Sequence, residues 1–451
     1  MNKKNKALAR DLWLLSYPTM ISFAMQSAYD IVDIAWVGQI SKEALSGVTL
    51  FSTIYFLFTV LNEIAGAGSV SMISQTYGRG DRERTQKISE QTISFKIVLA
   101  ILSGCLLFLF LQPLLNLYSD DSRVIQAAMD YGYIRIFFLP MMFSSYSVNT
   151  IFRCTQDSKT PMKIMLISAI LNLILDPVLM FKTIPGTSIP GFNLGVFGAA
   201  LATVIASSIS FLYGFYVLYS GKRDVTISFR GMLKLDREID SQLLVIGLPT
   251  GLQMFVRQAF NAVMIKFVTD YGNIAIALAG IMGKLANFYL MPIFGLTMAG
   301  ATLAGSSLGR NNIQEAERVT KMSAYMNTAI VSLIVAISAL FPREIMQVFS
   351  QENEVISAGV DMIRIVALGM VIVAYSFGIK VAFNASGYNQ PQLYSTLISR
   401  WAVQLPLMYL VVYIFEMELN YLWWCMVIAE IADLLITLYY YKKGNWKFNR
   451  V

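Results

Sequence analysis

Apolar runs of about 20 residues, divided by short polar stretches, fill the whole chain. That length crosses the hydrocarbon core of a bilayer as an α-helix. The pattern predicts twelve helices, near 14–38, 48–73, 91–115, 128–152, 162–181, 195–219, 242–269, 276–306, 320–341, 357–383, 392–414 and 420–441. The loops test the count. On one side lie Lys3, Lys4, Lys6 and Arg10; Arg79, Arg82, Arg84 and Lys87; Arg153, Lys159 and Lys163; Lys222, Arg223, Arg230, Lys234 and Arg237; Arg310, Arg318 and Lys321; and Lys442, Lys443, Lys447 and Arg450. The other side has only Lys42, Arg123, Lys182 and Arg343. Positive loops stay in the cytoplasm, which predicts a multi-pass plasma-membrane protein with both termini inside.

The pattern also repeats. YPTMISFAMQSAYDIVDIAWVGQISKEAL (17–45) aligns without a gap on LPTGLQMFVRQAFNAVMIKFVTDYGNIAI (248–276), an offset of 231. Pro18 and Thr19 meet Pro249 and Thr250, and Gly78-Arg79 meets Gly309-Arg310 in the same register. The chain therefore divides into lobes 1–220 and 242–451, joined by a charged cytoplasmic linker at 221–241. Six helices is an even number, so both lobes start inside and the repeats are parallel. That is one of the secondary-transporter architectures, all-α and polytopic, with a central cavity between lobes.

Composition sharpens this picture. Of 451 residues, 56% are hydrophobic and only 14% charged, too few for a water-soluble surface. The net charge of +7 sits in short loops between spans, so nucleic acid is not an expected partner. There is no His, so proton chemistry falls to carboxylates. Cys105, Cys154 and Cys425 lie in or beside apolar runs at no redox or metal spacing. No G-x-x-x-x-G-K-[ST] occurs, so an ion gradient is the expected drive. No cofactor beyond a coupling ion is expected.

Several segments carry a resemblance: DIVDIAWVGQISKEAL in helix 1, SQTYGRGDRERTQ and its repeat SSLGRNNIQEAER, FRCTQDSKTPM, NLILDPVLMF in helix 5 and GVFGAALATVIA in helix 6. Together they resemble the multidrug and toxic compound extrusion (MATE) family of the MOP flippase superfamily, over essentially the whole chain. The resemblance implies a V-shaped, two-lobe antiporter, not an enzyme, monomeric in the bilayer. It would export organic cations or other amphiphilic drugs in exchange for Na⁺ or H⁺. Two positions depart from the family pattern. Gln156 stands where Gly is usual, read as a variant of loop geometry. Arg257 stands where one branch has a Glu in helix 7, which points to a coupling site in the first lobe.

Polar groups inside the spans carry the chemistry. A buried Asp costs roughly 2.5–3.5 kcal/mol at mid-membrane, more than an interhelical hydrogen bond returns. Asp33 in helix 1 and Asp176 in helix 5 fall at similar depth, and Asn172 lies one turn from Asp176 on the same face. The resemblance gathers Asp33, Asn172, Asp176 and Thr203 as the ion site, with Tyr131 and Asn149 in support. Their oxygens suit a hard cation, Na⁺ if the protein is sodium-coupled. Alternatively, two adjacent carboxylates can hold a proton between them. Asp30 is a second relay carboxylate or a partner for a polar neighbour. Pro177 kinks helix 5 or frees the Leu173 carbonyl as a ligand, and Pro18 is a candidate bend. Asp33 maps onto Met264, so the fold itself does not need an acid there.

The second lobe is basic. Arg257 sits mid-span and Lys284 early in helix 8; with Glu63 of helix 2 they are candidate substrate-cavity residues. Lys266 and Lys380 are expected to snorkel to the interface, and Glu430 and Asp433 to pair with Arg257 or Lys284. A basic cavity would favour anionic or zwitterionic substrates, so the alternative function is a flippase or exporter of lipid-linked or anionic amphiphiles. The 24 Met and 13% aromatic residues are lipid-facing bulk, a subset giving an adaptable cavity wall.

Overall fold

The computed structural model describes residues 3–221, 224–449 and 451. Lys222, Arg223 and Arg450 of the basic loops lie outside these. The described chain is almost wholly helical, with one isolated antiparallel bridge, Thr183 to Pro190. Helices α1 (Lys3–Ile40), α2 (Lys42–Arg79), α3 (Arg82–Asn116), α4 (Ser122–Phe137), α5 (Leu139–Cys154), α6 (Lys159–Met180) and α7 (Gly195–Tyr219) come first. A short α8 (Phe229–Met232) precedes α9 (Arg237–Thr269), α10 (Asn273–Gly309), α11 (Ile313–Leu340), α12 (Pro342–Phe349) and α13 (Asn353–Ser386). Then α14 (Gln390–Thr396) runs into a π-helical stretch (Leu397–Gln404), α15 (Leu405–Tyr409) and a second π-helical stretch (Leu410–Ile414). Helix α16 (Leu419–Lys443) ends the set.

Among the described residues, ten helices are long and apolar enough to cross a membrane, and α1 and the α4–α5 pair occupy the other two expected spans. The two differences have physical reasons. Helix α1 is long enough, but Ser16, Thr19, Ser22, Gln26 and Ser27 lower the hydropathy of its uncharged stretch between Asp11 and Asp30. The span expected at 128–152 is two 16-residue helices, α4 and α5, interrupted at Phe138. Pro140 causes the break, because it has no N–H to give to Ile136.

Helix ends show why the elements begin and stop where they do. Ser41 Oγ accepts from Ala44 N at 2.9 Å, Asp81 Oδ1 from Arg84 N at 3.0 Å and Asn312 Oδ1 from Glu315 N at 3.1 Å, each capping a helix start. The internal repeat is written in these starts. Lys42 and Asn273, Arg82 and Ile313, Ser122 and Asn353, and Lys159 and Gln390 are all 231 residues apart. Left-handed positions repeat at the same spacing: Gly80 (φ 81°) with Asn311 (φ 58°), and Gln156 (φ 64°) with Gly387 (φ 74°). Gln156 thus shares the left-handed backbone of its repeat counterpart Gly387, at a strain that glycine does not bear.

The chain packs into two compact units, Ile21–Gly247 and Met1–Met20 with Leu248–Val451. Their bounds fall inside α1 and α9, beside Pro18 and Pro249, and both helices continue unbroken past the prolines. In the first unit Val37, Phe51, Leu107, Leu111 and Ala128 form a buried core around Tyr131. The stretch after α7 is bound to α3 in the same unit. Glu90 Oε1 accepts from Ser228 N at 2.7 Å, Ser94 Oγ donates to the Met232 carbonyl at 2.6 Å, and Gln91 accepts from Asp236 N at 3.0 Å. Lys87 adds an ion pair to Asp236. In the second unit Leu278, Met346, Ile363 and Trp423 form a core.

Candidate functional site

The polar side chains of the first unit come from four helices. Helix α1 presents Asp33 one turn before buried Val37, and α4 presents Tyr131 one turn after buried Ala128. Helix α6 presents Asn172 and Asp176 one turn apart, and α7 presents Thr203. The approach of α6 and α7 is set by small residues. A Cβ on Gly198 would stand 2.7 Å from the Leu179 carbonyl oxygen, so only glycine fits there. Ala199, Ala200 and Ala202 continue the close face.

This packing brings the four predicted ligands into one buried group. Asp33, Asn172, Asp176 and Thr203 are 8%, 1%, 0% and 7% exposed. Asn172 Nδ2 donates to Asp176 Oδ1 at 3.2 Å and to Thr203 Oγ1 at 3.5 Å. The Thr203 hydroxyl donates to the Ala199 carbonyl at 3.1 Å, which turns its lone pairs toward the amide. Tyr131 donates to Asp33 Oδ2 at 3.4 Å. Asp33 and Asp176 lie within electrostatic reach of each other. What is missing is informative. Asp33 Oδ1, Asn172 Oδ1 and Asp176 Oδ2 are buried and accept no hydrogen bond. Three buried acceptor atoms without a donor from the protein cost free energy unless a cation, a proton or water joins them.

A cavity of about 400 Å³ adjoins this group, lined among others by Gln26, Tyr29, Asp30, Asp33, Arg135, Tyr146, Asn149 and Thr203. Asn172 and Asp176 sit behind its wall. Asn149 is 5% exposed and its Oδ1 has no donor; its Nδ2 meets Met165 Sδ at 3.9 Å. Asp30 accepts from Gln26 at 3.2 Å, so it has its polar neighbour on the same helix. Pro177 lies within unbroken α6, and Leu173, whose carbonyl it frees, carries a side chain 47% exposed, off the buried Asn172–Asp176 face.

Arg135 was not foreseen. It donates to the Tyr131 hydroxyl at 3.0 Å, and its guanidinium lies 4.8 Å from the Tyr55 ring centre and 5.3 Å from that of Tyr131. It is a resident cation one hydroxyl away from Asp33. No signal in the sequence marks it, because the IRI triplet that contains it recurs at 363–365 with Arg364 exposed. Glu63 is not among the cavity-lining residues; its charge is met by Lys96 of α3, itself 2% exposed.

The second unit is arranged otherwise. Lys380 does not snorkel: it is 4% exposed and donates to Asp433 Oδ1 at 3.0 Å and Oδ2 at 2.7 Å. Ser376 adds a third donor to Asp433 at 2.7 Å. Glu430 pairs with Arg400. The two acids thus take Lys380 and Arg400 as partners, not Arg257 or Lys284. Lys284 is exposed and Arg257 half-buried. Among the described residues no group of three or more His, Cys, Asp or Glu gathers to hold a metal ion, so the Asp33–Asp176 set is a mixed carboxylate, amide and hydroxyl site.

Comparison with known proteins agrees with this architecture. The probable multidrug resistance protein YoeA of Bacillus subtilis is 27% identical over 456 residues, covering 100% of this chain and 96% of that protein. The multidrug export protein MepA of Staphylococcus aureus is 24% identical, over 92% of this chain and 89% of that one. A MATE transporter structure from Vibrio cholerae superposes with a TM-score of 0.89 at 20% identity, covering 99% of this chain and 100% of that one. The MatE family model matches residues 18–178 and 249–410, two segments whose starts lie 231 apart like the helix starts above. The chain belongs to the MatE family, the multidrug and toxic compound extrusion transporters.

Proposed function

We propose that the protein is a secondary active antiporter that expels amphiphilic drugs from the cell, with Na⁺ or H⁺ moving inward in exchange. Its place is the plasma membrane, with both termini in the cytoplasm. The coupling ion docks on Asp33, Asn172, Asp176 and Thr203 of the first unit. One observation carries this reading: the three buried oxygens of Asp33, Asn172 and Asp176 that have no donor. Na⁺ supplies a charge to all three, and a proton supplies a donor to one carboxylate and relieves the repulsion between the two. Arg135 already balances one of the carboxylates through Tyr131, which leaves a single charge for the ion to neutralise.

The cavity against Asp33 and Thr203 offers drug and ion adjoining places, so occupancy of one changes the field at the other. Ion entry from outside neutralises the carboxylates and weakens the hold on a cationic or polar drug group, which leaves outward. The gradient is sufficient. One charge falling through 100 mV yields about 2.3 kcal/mol, and one pH unit adds about 1.4 kcal/mol. Together they sustain a gradient of several hundredfold per ion for a drug without net charge.

The test is efflux of ethidium or norfloxacin from cells producing the wild type, Asp33→Asn or Asp176→Asn at matched abundance. Efflux should fall at least tenfold in each variant. Equal efflux would remove the coupling role. Replacing Na⁺ by choline at fixed pH then separates the ions: loss of wild-type efflux assigns Na⁺, and its persistence assigns H⁺.

A further inference from the structure

The second unit holds a charge that its own side chains do not balance. Arg257 lies on α9, twelve residues before the helix ends at Thr269. That is about 18 Å of helix, farther than its side chain reaches toward the interface. Neighbouring contacts fix this part of α9 on the α14 span. Gln253 donates to Thr396 Oγ1 at 3.1 Å, and the Trp401 indole donates to the Val256 carbonyl at 3.2 Å. The charges that act on Arg257 are Arg400, Glu430 and Asp433. Both acids are already engaged, Glu430 by Arg400 and Asp433 by Lys380 and Ser376. Arg257 itself makes no hydrogen bond or ion pair among the described residues. Three cations therefore face two anions.

A second observation points the same way. Gln404 is fully buried and turns its Oε1 to Arg400 at 2.7 Å, which leaves its Nε2 donor without an acceptor. Arg400 and Gln404 both belong to the π-helical stretch Leu397–Gln404. Such wide turns are rare and are concentrated at functional sites. The cluster thus has one positive charge in excess and an N–H donor to spare, and what it lacks is an acceptor with negative charge.

We propose that the half-buried Arg257 is a binding site for the acidic group of the transported molecule: a carboxylate, sulfonate or phosphate on an amphiphile. A guanidinium holds such a group through two parallel hydrogen bonds. The site therefore selects zwitterionic and anionic amphiphiles over purely cationic ones. The direction of transport rests on the efflux reading above; the binding preference does not.

Norfloxacin and its methyl ester separate the two cases, since the ester differs in lacking the carboxylate. Their binding to the purified full-length protein in lipid nanodiscs is read by fluorescence titration. The wild type should hold norfloxacin at least tenfold more tightly than the ester. Arg257→Gln should erase that preference by weakening norfloxacin alone, and Arg257→Lys should retain part of it. A wild type that holds both equally overturns the proposal, as does Arg257→Gln with its preference intact. Should Arg257→Gln fail to fold, the wild-type ratio and Arg257→Lys decide the matter. Asp33→Asn keeps the two readings apart: it should stop efflux of both compounds and leave the preference for the acid unchanged.

Discussion

The two units solve the problem of charge in a membrane in opposite ways. In the first, Asp33 and Asp176 are buried with one oxygen each unsatisfied, and the resident cation Arg135 reaches Asp33 only through Tyr131. In the second, Asp433 receives three donors within 3.0 Å. The repeat sets these places against each other: 231 residues after Asp33 stands Met264, and 231 after Asn149 stands Lys380. An asparagine at one position leaves its unit's carboxylates without a tethered cation. A lysine at the counterpart is that cation, permanently attached. On the function proposed above, an unsatisfied group marks a site that exchanges its occupant, and a satisfied one a fixed brace.

Stability measurements give the sharpest way to break that comparison. Asp433→Asn strands Lys380 and should cost about 3–5 kcal/mol, read as a large fall in the thermal unfolding temperature of the detergent-solubilised protein. Asp33→Asn and Asp176→Asn each remove a buried charge with one oxygen unsatisfied, and should leave that temperature unchanged or raised even as efflux fails. If Asp33→Asn destabilised as much as Asp433→Asn, the first cluster would be a brace as well. Replacing the pair together, Lys380→Met with Asp433→Leu, should recover most of the loss, to within about 1–2 kcal/mol of the wild type. Asn149→Lys carries the comparison across the repeat. A tethered ammonium placed at the cavity beside Asp33 should mimic a permanently bound ion, reducing efflux about tenfold or more by neutralising a carboxylate the coupling needs. Normal efflux in that variant would separate the cavity from the ion site.

Smaller effects test the equivalence of the repeats. Gln156→Gly should stabilise by up to about 1 kcal/mol, and Gly387→Gln should destabilise by a similar amount, since both positions are left-handed. Equal and opposite shifts would show that the two loops are interchangeable. The smallest effect concerns Asp236, whose carboxyl Lys87 holds below the usual carboxylate range. A depressed carboxylate contributes stability above its ordinary range and loses it as pH falls through the lowered value. Asp236→Asn should therefore flatten the acid end of the stability profile slightly.

Much of this was legible because apolar runs and isolated polar residues are strong signals. Asp33, Asn172 and Asp176 stand out in greasy helices, the family resemblance adds Thr203, and the structure brings the four together. The ungapped register predicted over residues 17–79 extends in the structure to the starts of α6 and α14. Other features left no such trace. The break at Phe138 lies in an unbroken apolar run, where hydropathy does not register the N–H that Pro140 lacks. The π-helical stretches read LISRWAVQ and LVVYI, sequences an α-helix accepts equally, so their wider turns depend on packing. Arg135 lies in an IRI triplet that recurs at 363–365 around an exposed Arg364, and only the tyrosines around Arg135 make it part of the site. The Lys380–Asp433 pair joins residues 53 apart in the chain, a distance at which composition predicts that partners are needed but not which ones.

The clasp that Glu90, Gln91 and Ser94 place on residues 228–236 has a practical corollary for anyone wishing to watch this transporter at work. Although the crossover between the repeats reads like slack rope, it is lashed to the N-terminal end of α3. A fluorophore attached at Thr226, whose hydroxyl meets Gln86 of that helix at 3.2 Å, will ride with α3 and report on that helix's displacements. A reporter meant to register an independent crossover would first need the clasp cut, and Glu90→Ala is the place to cut it.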